Sequence, residues 1–81
     1  MELSIHALEQ IADRKLDIAW VEATLRDPTF VRPDKIDPQA KWAFRRIPEK
    51  GDRWLRVVYT ERRGQHVVIT VFFDRKAEKW R

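Results

Sequence analysis

The chain contains no cysteine. That absence removes disulfides, thiol catalysis and thiolate metal sites together. A short secreted chain would usually carry disulfide staples, so the expected location is the cytoplasm. Glycine is scarce, at two residues, and proline is limited to four. A disordered or low-complexity chain would be richer in both. No nucleotide-binding glycine loop is present. No apolar run is long enough to span a membrane, and no signal-peptide pattern opens the chain. No set of carboxylates or histidines has metal-site spacing, so neither a metal nor a cofactor is expected.

What is present suits one small domain over residues 1–81. Apolar residues make up 43%, and four Trp and four Phe give them bulk, enough for one core beneath a single sheet. Charged residues reach 37%, for a net charge of +4. The distribution is uneven. Residues 1–28 hold three basic and six acidic side chains, whereas residues 29–81 hold fourteen and seven. A basic part joined to an acidic part suggests a polyanion on one side of the molecule.

The N-terminal part has helical period. Residues 4–14 (SIHALEQIADR) predict a helix capped by Ser4, with Ile5, Leu8, Ile11 and Ala12 on one face. A second helix is expected from its cap Asp17 to Arg26, with Ile18, Val21 and Leu25 as its stripe. Asp27-Pro28 ends it, because the residue before proline avoids the helical region. The period then changes. Thr29–Lys35 reads as a short edge strand interrupted by Pro33, Lys41–Ile47 as an aromatic-rich strand, and Arg53–Thr60 and His66–Phe73 as the two best strands. The expected fold is therefore α+β: a two-helix hairpin packed on one face of a roughly four-stranded antiparallel sheet.

Alternation assigns the faces of that sheet. Leu55, Val57, Tyr59, Val67, Ile69, Val71 and Phe73 are expected beneath the helices. The other face would then carry Arg56, His66 and Thr70 among Trp54, Val58, Val68 and Phe72. Such a mixture suits a ligand surface, since guanidinium grips phosphate and aromatic rings stack on bases. On the first helix His6 falls opposite the apolar stripe, and Gln10 and Arg14 follow it at steps of four. Imidazole is the side chain suited to acid–base work near neutrality. Trp20 and Trp80 fit either the core or a partner-protein contact.

His6-Ala7-Leu8, Ile11, Arg14, Val21, Leu25, Pro28, Leu55-Arg56-Val57-Val58 and Val68-Ile69-Thr70-Val71 come in a familiar order. The chain resembles a small uncharacterised group of bacterial domains that open with a His-Ala helix and are similar in fold to the RelE and BrnT toxins. Arg56–Arg62 also resembles the third-strand region of BrnT, although BrnT's lysine-rich opening helix is not visible here. The resemblance implies a metal-independent ribonuclease toxin with RNA as substrate and a cognate antitoxin protein as partner. It carries over His6, Arg14, Arg56 and Thr70 as the catalytic set. Arg45, Arg46, His66 and Trp54 are the expected RNA contacts, with Tyr59 a weaker addition.

RNA brings its own nucleophile, the 2′-hydroxyl. His6 can take or give a proton, Arg56 with Arg45 or Arg46 can hold phosphate and developing charge, and Thr70 can orient a phosphate oxygen. This mechanism requires His6 and Arg56 to converge on one scissile ester. The alternative is a non-catalytic module of the same fold that binds RNA or protein.

Overall fold

The computed structural model describes residues 1–81. The chain begins with a two-residue strand, β1 (Glu2–Leu3), and enters helix α1 (Ile5–Asp13) through Ser4. The Ser4 hydroxyl accepts from the Ala7 N–H at 3.0 Å, satisfying one of the free donors of the first turn. Asp17 caps α2 (Ile18–Arg26) in the same way, its carboxylate accepting from the Ala19 N–H at 2.9 Å. Strands β2 (Phe30–Pro33), β3 (Lys41–Ile47), β4 (Arg53–Arg62) and β5 (Gln65–Phe73) follow, and a 3₁₀ turn at Ala77–Trp80 closes the chain. No helix is long and apolar enough to cross a membrane.

The sheet has five strands in the order β1-β5-β4-β3-β2, and it is mixed rather than antiparallel. Strand β1 runs parallel to β5, with Glu2 opposite Val67 and Leu3 opposite Val68. Two residues carry no alternation to read, so this fifth strand is invisible to pattern. Strands β4 and β5 meet through Arg63-Gly64, both at positive φ, the geometry of a tight two-residue hairpin.

A β-bulge decides which side chains face the helices. Val58 pairs with Thr70 and Tyr59 with Val68, so Ile69 is an extra, unpaired residue. Val68 and Val71 consequently both enter the core beneath the helices, although regular alternation would put them on opposite faces. The expected faces therefore hold for Val71 and Phe73 but not for Val68 or Ile69. Ile69 packs in the cluster on the far side of the sheet. Its freed carbonyl accepts from the Ser4 hydroxyl at 2.9 Å, so one serine both caps α1 and pins the chain to the bulge.

Two apolar clusters result, where one core was expected. The first lies between helices and sheet and holds Ala7, Ile11, Leu16, Val21, Ile47, Leu55, Val57, Val68 and Val71. Ala7 and Ile11 form the buried line of α1, while Ile5 is 78% exposed and Leu8 49%, so the expected stripe is rotated. Gln10 supplies the physical reason. Its carbonyl oxygen accepts from the Thr70 hydroxyl and, at 2.9 Å, from the Val71 N–H. The helix thus turns a polar flank towards the open edge of β5 and completes there the hydrogen bonding that β1 is too short to provide.

The second cluster holds Ala40, Trp42, Phe44, Trp54, Val58 and Ala77 on the face without helices, with Phe30, Ile69 and Trp80 packed against it. The C-terminal tail folds over this face. Trp80 meets Trp42 edge-to-face, with centroids 5.3 Å apart. Trp20 lies on the helical side against Phe73, at 6.3 Å. Both tryptophans are thus packing residues on opposite sides of the sheet.

Candidate functional site

Arg56 stands opposite Phe44 and Phe72 in the register, on the face turned away from the helices. Its guanidinium lies 3.5 Å above the centroid of Trp42, with Phe72 at 5.0 Å. Its Nη1 donates to Asp74 at 3.2 Å, and the two side chains are only 15% and 9% exposed. Asp34, which accepts from the Trp42 indole at 2.7 Å, belongs to the same cluster. The backbone N–H groups of Asp37 and Ile36 and the Trp42 indole hold the Asp34 carboxyl below its ordinary range, with a smaller contribution from Arg56. Arg56 is therefore a neutralised, sandwiched cation. A phosphate would have to displace Asp74 to reach it. The Nε of Arg56 is buried without a hydrogen-bond partner.

The neighbouring arginines are also engaged. Arg45 and Arg46 are adjacent and so point to opposite faces of the sheet. Arg45 donates to the Asp27 carbonyl at 2.7 Å and to its carboxylate at 3.2 Å, fastening the end of α2 to β3. Arg46 pairs with Glu78 at 3.0 Å and lies 4.5 Å from the Trp54 centroid. The Trp54 indole donates to the same Glu78 carboxylate at 3.1 Å, which ties the tail to the sheet. Trp54 is itself buried, so it offers no open stacking face.

His6 is exposed in the first turn of α1, one turn before Gln10 and on the same flank. Thr70, through Gln10, is joined to this flank. Arg14 forms the C-cap of the same helix. The structure thus brings Thr70 to the helix that carries His6 and Arg14. It does not bring Arg56 there. Helix and guanidinium lie on opposite sides of the sheet, and the expected convergence of His6 and Arg56 is not present. His66 is displaced as well, because the bulge reverses the first half of β5. It meets the Tyr59 ring edge-on at 5.0 Å and lines a shallow hollow with Met1, Glu22, Leu25 and Arg26 beside α2. Burial, with the Glu61 charge nearby, raises the Tyr59 hydroxyl above its ordinary pKa.

Other cations have no carboxylate partner. Four of the seventeen Lys and Arg side chains form ion pairs, all of them arginines, and thirteen do not. Three of the thirteen, Lys50, Arg53 and Arg75, surround the end of the sheet where β4 begins and β5 ends. The Arg53 guanidinium is 4.2 Å from the Phe73 centroid, and the Lys50 ammonium is 5.9 Å from that of Trp20. A cavity of about 250 Å³ opens there between Arg53, Trp54, Phe73, Asp74 and Arg75. Alternation does not single out Arg53, because it sits at the first position of β4. The signal that would have found it is the pairing of arginine with the outward end of an aromatic strand. No group of three or more His, Cys, Asp or Glu side chains comes together to hold a metal ion.

No curated protein and no solved structure matches the chain. A family model described as a domain of unknown function, DUF4258, matches residues 3–73, a span that runs from β1 through α1 and α2 to the last residue of β5. The chain belongs to the DUF4258 domain family.

Proposed function

We propose that this domain binds single-stranded RNA through the basic part of the sheet, as the RNA-directed member of a toxin–antitoxin pair. One observation carries the reading: ten of the thirteen cations without an ion pair fall in residues 29–81. Free cations release counterions on meeting phosphate, whereas a paired arginine must first lose its carboxylate. Aromatic rings beside several of them supply the stacking that single strands use and duplexes hide. The toxin–antitoxin context comes from the resemblance to RelE and BrnT.

Fluorescence anisotropy with labelled hexauridylate tests the proposal. Binding is expected to weaken with salt, with a logarithmic slope of about −2 for three phosphates engaged. No binding at low salt, or binding insensitive to salt, would refute it.

A second reading, metal-independent RNA cleavage, is favoured by the His6–Gln10–Thr70 flank. His6 would take the 2′-hydroxyl proton, the 2′-oxygen would attack the adjacent phosphorus, and the bond to the 5′-oxygen would break. That oxygen would take a proton from water, and Arg14 would face the phosphate charge. In this version Arg56 has no part in the chemistry. Cleavage of the same RNA in chelator, lost in a folded His6→Ala variant, is the expected result. Intact RNA after long incubation leaves binding as the function.

A further inference from the structure

We propose that Lys50, Trp20, Phe73 and Arg53, with the cavity beside them, form a nucleotide subsite for one unstacked base and its flanking phosphates. The proposal deepens the RNA reading and rests on it. The four side chains form a continuous row. Lys50 lies over Trp20, Trp20 meets Phe73 at 6.3 Å with the rings inclined by 56°, and Arg53 lies over Phe73. A guanidinium placed on a phenyl ring is held flat by it and presents its other plane outward, where a base can stack. Arg53 is exposed, so that plane is open to a ligand.

Beside it the cavity of about 250 Å³ runs to Arg75. That is below the roughly 300–1,000 Å³ of sites for drug-sized ligands and suits a single ring system. Lys50, Arg53 and Arg75 form no ion pair, so each is free for phosphate. The one carboxylate in the cavity wall, Asp74, is held by Arg56. Lys35 and Lys79 bracket Trp80 in a comparable way, at 4.3 and 5.2 Å, but no cavity opens beside that ring.

The test is hexauridylate binding by anisotropy, with circular dichroism to verify folding. Arg53→Ala is expected to weaken binding about tenfold and Arg53→Lys by a smaller but measurable factor, since lysine keeps the charge but loses the stacking plane. Lys50→Ala is expected to reduce the salt slope by about 0.7. Arg62→Ala/Arg63→Ala, at the hairpin tip on the far end of β4, removes two charges and is expected to cost less than Arg53→Ala. Unchanged affinity in Arg53→Ala, with a large loss in the hairpin variant, would overturn the subsite while RNA binding itself stood. Full rescue by Arg53→Lys would overturn the stacking role. Absence of binding by the unaltered protein would overturn the RNA reading and the subsite with it.

Discussion

The two faces of the sheet are both apolar, yet they are built differently. The helical face is closed by aliphatic side chains, with Leu55, Val57, Val68 and Val71 fully buried under Ala7, Ile11 and Val21. The tail-covered face is closed by aromatic rings and by arginines laid across them, each held by a carboxylate: Arg56 by Asp74 and Arg46 by Glu78. In an 81-residue chain the tail supplies a roof that a third helix would otherwise provide. An arginine among aromatics therefore carries two readings. Where a carboxylate completes it, it is part of the packing. Where none does, as at Arg53 on Phe73, it remains available to a ligand.

Removing the carboxylate from the tail-covered face sharpens this contrast most. Asp74→Ala leaves Arg56 desolvated and unpaired and is expected to cost about 3 kcal/mol in chemical denaturation. Replacing the pair by Arg56→Met/Asp74→Leu is expected to recover most of that loss. Trp80→Ala opens the roof over Trp42 and is expected to cost about 2 kcal/mol, less than for a fully buried tryptophan because Trp80 is half-buried.

On the helical face, Gln10→Ala removes the acceptor of the Val71 N–H and the Thr70 hydroxyl at the β5 edge. Its expected cost is about 1 kcal/mol, with faster amide exchange confined to Thr70–Phe73. The smallest effect concerns acid. Asp34 is held below its ordinary 3.8 by the Asp37 and Ile36 N–H groups, so its contribution is fully present above that value and is lost as pH falls below it, through the lowered value of the folded state. Asp34→Asn is expected to flatten this acid limb of the stability curve by lowering stability slightly at neutral pH and leaving it nearly unchanged in acid.

Much of the architecture could be read from local chemistry. Ser4 and Asp17 announce their helices as caps, Pro28 ends the second, and the alternation in 53–60 and the run of β-forming residues in 66–73 mark the central strands. The features that escape reading are those set by distant partners. Strand β1 exists only because Val67 and Val68 lie beside it, and the bulge at Ile69 exists where Ser4 can take its carbonyl. That single extra residue moves Val68 and His66 to the helical face and so alters the expected ligand surface. The candidate site was less legible for a related reason. Residue type marks Arg45, Arg46 and Arg56 as phosphate ligands, but only the folded chain brings Asp27, Glu78 and Asp74 to them.

The division between structural and available arginines is tested most directly by titrating labelled hexauridylate into two variants side by side. Arg46→Met, which removes a carboxylate-held arginine outside the cavity wall, is expected to bind as the unaltered protein does, and Arg53→Ala about tenfold more weakly. Binding abolished in folded Arg46→Met and intact in Arg53→Ala would contradict the account.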